Sequence, residues 1–299
     1  MHHLSWLEAA TIGLVQGVTE LFPISSLGHS VLIPAVVGGS WQRDLNVRAP
    51  ESPYLAFIVG LHVATAIALI IYFWRDWVRI LRGLGTSIVR REIADPDQRL
   101  AWLLILATIP VGIVGLLAEH AFRTTLSRPV PTAVFLMING LVLLSIERAR
   151  RAADRPDYVD ERISGQASDR RLAGIPVGQA VGVGAAQILA LAPGISRSGV
   201  TTSAGMAARL DREDAARFSF LLATPVILAA GVLKLGDLAG PLGSGIRGQV
   251  VLGSVLSGVG AYLAVRFLTR YLASRSLRPF GVYCLAAGAA CLIWFAVRP

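Results

Sequence analysis

Long apolar runs without charge constrain this chain more than any other feature. Tyr54–Trp74 spans 21 residues with no formal charge except one that His62 could carry; Leu100–Ala118 spans 19, Gly248–Val265 spans 18 and Pro279–Val297 spans 19. A helix needs about 20 mostly apolar residues to cross the hydrocarbon of a bilayer, and runs of about 18 already read as candidate spans. Thr132–Ile146 and Phe218–Leu233 are shorter but extend readily. Strands alternating with a period of two, as in a membrane β-barrel, are absent. The expected fold is an all-α polytopic membrane protein with about six transmembrane helices. Composition agrees: 16% of residues are charged, against about 25% in soluble domains.

The charges set a topology. The net charge is +9, and its arginines cluster between the apolar runs. That is the pattern of cytoplasmic loops rather than of a nucleic-acid surface. Residues 75–99 carry six arginines and 147–173 carry seven, whereas 119–131 carry two (Arg123 and Arg128). The first two segments therefore read as cytoplasmic loops and the third as external. Residues 236–247, with Arg247 alone, read as external, and 266–278, with Arg266, Arg270, Arg275 and Arg278, as cytoplasmic. Residues 37–53, where Arg43 and Arg48 are offset by Asp44 and Glu51, read as external. The N-terminus lacks the basic start of a cleavable signal peptide. Cys284 and Cys291 lie seven residues apart on one expected helix, roughly 10 Å, too far for a disulfide.

Two apolar stretches resist this counting. Residues 175–208 are flanked by basic segments on both sides, Arg209, Arg212 and Arg217 following, and are interrupted by Pro193, Gly194 and Gly199. A hairpin that enters and leaves on the cytoplasmic side satisfies both flanks, and irregular backbone at membrane depth is tolerated only inside protein or beside a wet cavity. Residues 4–37 break in the same way at Pro23–Gly28, which suggests a second hairpin entering from outside, with a pair of full spans as the alternative. A shift of 171 residues places "ISSLG" (24–28) on "ISRSG" (195–199), Gln16 on Gln187 and Gly13 on Gly184. Two opposed re-entrant hairpins in an inverted repeat follow, and such repeats build their sites from broken helices at the repeat interface. The chain reads as one integral membrane domain over 1–299, with a first repeat at about 1–147, a cytoplasmic loop at about 148–173 and a second repeat at about 174–299.

Chemistry collects at the two breaks. Gln16 and Glu20 are i, i+4 and share a helix face, and a carboxylate inside a membrane segment marks function by default. The first break adds Ser25, Ser26 and His29, so a hydroxyl, a base and an acidic partner come together, the set an activated nucleophile needs. The second break supplies Ser196, Arg197, Ser198, Thr201 and Thr202, with Arg197 the sole charge between Pro176 and Ala208. A guanidinium fork suits phosphate, and a turn leading into a helix N-terminus cradles anions. Glu20, with Gln16, is placed to hold a divalent cation, Mg²⁺ or Ca²⁺, since hard cations take oxygen ligands. Phosphoryl transfer or hydrolysis on an amphiphilic substrate is the expected reaction class.

At these residues the sequence closely resembles the bacterial undecaprenyl-diphosphate phosphatase family, which is linked to bacitracin resistance. The resemblance lies in "QGVTE" (16–20), "PISSLGH" (23–29) and "PGISRSGVT" (193–201), and extends to "FIVGLHVATAIALIIYFW" (57–74) and "FSFLLATPV" (218–226). It implies a hydrolase of the bacterial inner membrane that releases phosphate from undecaprenyl diphosphate, with six spans and two opposed re-entrant hairpins. By carry-over, Glu20, Ser26, His29 and Arg197 are central, and Ser25, Ser196, Ser198 and Thr201 contact phosphate. Ser26 is the expected nucleophile; His29 as its base, or as the nucleophile itself, is left open. Position 16 is Gln where many relatives have Glu, Leu27 replaces a more usual Thr, and His62 falls where relatives also carry His.

The main rival is a transporter or flippase of an anionic prenyl lipid, which the same inverted repeat would serve. A lipid phosphatase whose Ser-Arg is followed by histidine is set aside, since no histidine follows Arg197. The expected partners are the prenyl diphosphate substrate and the bilayer, with the site opening to the external face. The preferred prenyl length, the metal and assembly into a homodimer are not fixed by sequence.

Overall fold

The computed structural model describes residues 4–46, 53–152, 165–233 and 245–298; Arg48, Glu51, Arg155, Arg162 and most of 236–247, all used in the topology reading, lie outside them. Among the described residues the chain is helical throughout, without a strand, and belongs to the all-helical polytopic membrane class. The first half runs α1 (Trp6–Leu21), α2 (Ser26–Val37), short α3 (Gly39–Asp44), α4 (Pro53–Tyr72), α5 (Trp74–Arg90), α6 (Pro96–Ala121) and α7 (Pro129–Ala152). The second runs α8 (Gly165–Ala173), α9 (Val177–Ala185), a 3-10 turn (Ala186–Leu191), α10 (Arg197–Ala207), α11 (Arg212–Leu233), α12 (Arg247–Ser274) and α13 (Arg278–Val297). Five helices, α6, α7, α11, α12 and α13, are long and apolar enough to cross a membrane, and the count rises to 7 if two bent pairs are each one span. One bent pair is α4 with α5. The other is α8 with the segment Val177–Leu191.

Both expected breaks are present: α1 ends at Leu21 and α2 begins at Ser26, while the 3-10 turn ends at Leu191 and α10 begins at Arg197. Each broken helix packs on a long helix of the other half, α1 on α12 and α9 on α6. The approach is backbone to backbone. A Cβ added to Gly13 or Gly17 would run into the main chain of Gly253 or Ser257, and one on Gly184 into that of Ala107. Small residues let membrane helices close up where lipid supplies no hydrophobic drive between them. The remaining long helices pair across the halves, α4 with α11 and α7 with α13.

Of residues 75–99, expected as a cytoplasmic loop, 96–99 begin α6 and 75–90 form α5 at 86° to α4. Their side chains explain the helix. Ile80, Gly83 and Ser87 are buried, while Trp74, Val78, Leu81 and Ile88 form an exposed apolar stripe beside Arg75, Arg82 and Arg90. A basic amphipathic helix of this kind lies in the plane of a membrane interface.

Several of the arginines used to read topology are held in ion pairs at one end of the bundle. Arg79 bonds Asp76 and Asp169 at 2.6 Å each and Asp97 at 3.1 Å. Arg217 meets Asp76 at 3.0 Å and Asp169 at 2.8 Å. Buried Arg212 donates to buried Glu147 at 2.9 Å, and Glu147 also accepts from the amide of Leu277. These contacts gather the end of α7, the starts of α5, α6, α11 and α13, and α8.

Candidate functional site

Glu20 sits on the last turn of α1 and is 7% exposed. Its carboxylate gathers groups from both breaks. Oε2 accepts from Ser26 Oγ at 2.5 Å and from Gln16 Nε2 at 2.9 Å. Oε1 accepts from Arg197 Nη2 at 2.9 Å across 177 residues of sequence. His62 of α4 places Nε2 3.4 Å from Oε2 and 3.2 Å from Gln16 Nε2. Its Nδ1 faces the acceptor-only carbonyl of Ile58 at 2.8 Å, so that nitrogen carries a hydrogen and Nε2 is the one turned to Glu20. The second terminal guanidinium nitrogen of Arg197, Nη1, is buried without a partner among the described residues.

Glu20, Ser26, His62 and Arg197 line a cavity of about 270 Å³. Ser25, Ser26, Ser196 and Arg197 contribute from the first turns and caps of α2 and α10, so two helix N-termini face one space. Helix N-termini carry unpaired N–H groups and a positive end, which favour an anion. Much of the remaining lining is apolar, with Ile58, Val59, Val111, Val226 and Ile227. A few convergent polar groups in an otherwise apolar lining suit an anionic, amphiphilic ligand.

The caps are matched. Ser25 Oγ accepts from Gly28 N at 3.1 Å, and Ser196 Oγ accepts from Gly199 N at 3.2 Å. Ser25 Oγ also accepts from Gly194 N at 3.2 Å, tying the first break to the second. Ser25 holds φ at +68°, a left-handed conformation rare for a residue with a side chain. Such strain persists only where surroundings enforce it, and here His29 Nδ1 donates to the Ser25 carbonyl at 2.7 Å.

The sequence-predicted residues do not all meet. Glu20, Ser26 and Arg197 come together as expected. His29 does not reach Ser26: its Nδ1 is on Ser25 O, its Nε2 bonds Tyr283 OH at 2.7 Å, and its ring stacks on that tyrosine. Nor is it part of the cavity wall. Gln16 is bonded to Glu20, but its own Oε1 is buried and unpartnered. Ser198 Oγ donates to Phe22 O at 3.2 Å, and Ser196 Oγ to the same carbonyl at 3.4 Å. Thr201 Oγ1 donates to Arg197 O at 2.6 Å and bonds Ser219 at 2.5 Å. These hydroxyls hold backbone together, and Ser198 and Thr201 lie off the cavity wall.

Sequence reasoning missed two polar residues near this space. Gln187, noticed only as a repeat mark, lines the cavity, 1% exposed, with Oε1 unpartnered. Asn139, fully buried on α7, bonds both breaks. The available signal was an uncharged polar side chain inside an apolar run, since polar groups at membrane depth need partners.

Among the described residues no group of three or more His, Cys, Asp and Glu could cage a metal ion. Glu20 is the one acid among the lining residues, with the unpartnered Gln16 Oε1 on the same helix face. That donor set suits a cation that takes one or two carboxylates and completes its shell with substrate phosphates, as Mg²⁺ does.

Comparison with known proteins agrees with the motifs. Residues 9–290 match the family described as bacitracin resistance protein BacA. The chain is 60% identical to a protein named undecaprenyl-diphosphatase from Mycolicibacterium paratuberculosis, covering 99% of each chain. It is 47% identical to undecaprenyl-diphosphatase 1 of Frankia casuarinae, over 99% of this chain and 100% of that one. It is 43% identical to undecaprenyl-diphosphatase 2 of Burkholderia lata, over 96% of each. With nearly its whole length matched, and with Glu20, Ser26 and Arg197 from its two motif-bearing helix breaks lining one cavity, the chain belongs to the bacitracin resistance protein BacA family.

Proposed function

We propose that this protein hydrolyses undecaprenyl diphosphate to undecaprenyl phosphate and inorganic phosphate, returning the lipid carrier to cell-wall synthesis and so conferring bacitracin resistance. The observation that carries this reading is the Ser26–Glu20–Arg197 arrangement: a hydroxyl bonded to a carboxylate from its own break, the carboxylate bonded to an arginine from the other. Carriage of an intact anionic lipid would use the arginine but has no need of a hydroxyl held by a base.

The Nη2 bond to Glu20 orients the guanidinium and leaves Nη1 for oxygens of the terminal phosphoryl group. Ser26 Oγ attacks the terminal phosphorus as its proton passes to Glu20 Oε2. The anhydride P–O bond breaks and its electron pair leaves with undecaprenyl phosphate. Water then attacks the phosphoseryl phosphorus, the Ser26 Oγ–P bond breaks, and Ser26 recovers its proton from Glu20. Inorganic phosphate departs with the hydrogens of the water. His29 acts one residue back, holding Ser25 in its strained cap so that Ser26 starts α2 facing Glu20. A divalent cation, Mg²⁺ or Ca²⁺, would be held by Glu20 and Gln16 Oε1, and when bound would neutralise charge on the diphosphate oxygens.

We further infer six spans and two re-entrant broken helices in the bacterial inner membrane, the site opening outside. Support comes from the ion pairs at one end of the bundle, which join the end of α7 to the starts of α6, α11 and α13 and include α8. The carbonyl of Leu4, just before α1, instead accepts from Gln249 at the start of α12. Alternation of spans puts that start at the opposite end. A first repeat of about 1–147 and a second of about 174–299 follow from the matched order of a broken helix and three long helices.

The test is phosphate release by purified protein from a C55 prenyl diphosphate. Release by wild type and its loss in Ser26→Ala and Arg197→Ala is the expected result. No release by wild type would overturn the hydrolase, and undiminished release by either variant would overturn the role given to that residue. Inhibition by an impermeant reagent applied only from inside would overturn the external opening.

A further inference from the structure

We propose that Asn139 is a positioning residue for the reaction: it sets the distance between the break that carries Ser26 and the break that carries Arg197. This rests on the hydrolase reading above.

Asn139 is on α7, in neither break, and is fully buried. Its Nδ2 donates to Pro23 O at 2.9 Å, and its Oδ1 accepts from Ser196 N at 3.0 Å. Nδ2 also lies 3.4 Å from Cys284 Sγ. Because a carbonyl only accepts and a backbone N–H only donates, these partners fix which end of the amide is which. Pro23 lies three residues before Ser26, and Ser196 immediately precedes Arg197. One rigid side chain therefore spans the segments that aim the attacking oxygen and the phosphate-holding cation. Only an uncharged group with a donor and an acceptor on one planar head satisfies both sides.

α7 is also the wall on which the second break is pressed. Gly194, at φ +106°, packs on α7 so closely that a Cβ there would strike the backbone of Thr132 and Leu136. A Cβ on Gly199 would come within 3.1 Å of Asn139 Oδ1. The breaks keep other ties without Asn139: Gly194 N to Ser25 Oγ, Ser198 Oγ to Phe22 O and Arg197 to Glu20. Loss of the amide should thus leave the fold assembled while the two halves shift slightly. A displacement of about 1 Å between reacting groups can cost about 10²-fold in rate.

The experiment compares Asn139→Ala, which removes both bonds, with Asn139→Asp, which keeps the acceptor for Ser196 N–H but sets a carboxylate oxygen against Pro23 O. Leu143→Ala, a buried apolar position one turn further along α7 with no polar side-chain group to bond either break, is the control for a damaged core. Thermal unfolding in detergent, kcat and KM for phosphate release are measured on each, beside wild type and Ser26→Ala. The expected result is a kcat lowered about 10- to 100-fold in both Asn139 variants, with unchanged KM and a retained unfolding transition. Leu143→Ala should unfold earlier at wild-type kcat per folded molecule. Should Asn139→Ala fail to fold, Asn139→Asp decides alone. Wild-type kcat in the Asn139 variants, a kcat loss matched by Leu143→Ala, or failure of both Asn139 variants to fold would overturn the proposal. No release by wild type would overturn the hydrolase reading, and full release by Ser26→Ala the Ser26 assignment, each taking this proposal with it; wild-type kcat at Asn139 beside an inactive Ser26→Ala would remove Asn139 alone.

Discussion

The two helix breaks are built to one plan and differ in what they carry. Ser25 and Ser196 cap α2 and α10 through the same i to i+3 bond, to Gly28 and Gly199. The next residue is Ser26 in one and Arg197 in the other, and each reaches the same carboxylate from its own side. The backbone strain also differs. In the first break it falls on Ser25, at φ +68°, the residue beside the proposed nucleophile; in the second it falls on Gly194, at φ +106°, where no side chain is displaced. A common turn has thus been divided between an attacking hydroxyl and an anion-holding cation, and only the first half carries strain on a residue with a side chain.

The largest expected effect is on the first half. Ser26→Ala should reduce phosphate release by about 10⁴-fold or more, since loss of a nucleophile removes the covalent path; steady-state kinetics on the purified protein checks it. Next comes the second half: Arg197→Lys keeps the charge but not the fork, and kcat should fall by about 10²- to 10³-fold, the scale of a lost transition-state donor. A variant as active as wild type would break the division of labour. His29→Ala should cost only about 10-fold, the scale of a residue placed behind the chemistry. A loss equal to that of Ser26→Ala would restore His29 as base or nucleophile.

The smallest effects concern the turns themselves. Gly194→Ala should lower stability by about 1–3 kcal/mol or more, through strain at positive φ and collision with α7. Ser25→Gly, which relieves strain but removes the acceptor of Gly28 N and Gly194 N, should lose less, about 1 kcal/mol. Thermal unfolding of the pair, with the reverse ranking as the contrary outcome, tests where the strain lies.

Much of this was legible in the sequence because it depends on local pattern. The long apolar runs gave the spans, Pro23 and Gly194 marked the breaks, and the i, i+4 spacing placed Gln16 on Glu20. The 171-residue shift aligned the caps before any contact was known. What was not legible depends on tertiary contacts. The motif put His29 beside Ser26, but Tyr283, 254 residues away, and the Ser25 carbonyl take both its nitrogens. Ser198 and Thr201 look like phosphate ligands as hydroxyls near an arginine, yet nearby carbonyls engage them. Arginine counting treated 75–99 as a loop because it weighs charge and ignores the apolar stripe of α5. Asn139 looked like one polar residue in a greasy helix, and its meaning appears only when both breaks arrive on α7.

The most direct test of the division between the two halves follows the phosphoryl group. The protein is mixed with prenyl diphosphate labelled in its terminal phosphate, quenched in acid during turnover, and the labelled peptide is sequenced. The expected label is acid-stable and on Ser26. Acid-labile label on His29, or turnover with no covalent label at any quench time, would contradict the assignment of the attacking group to Ser26.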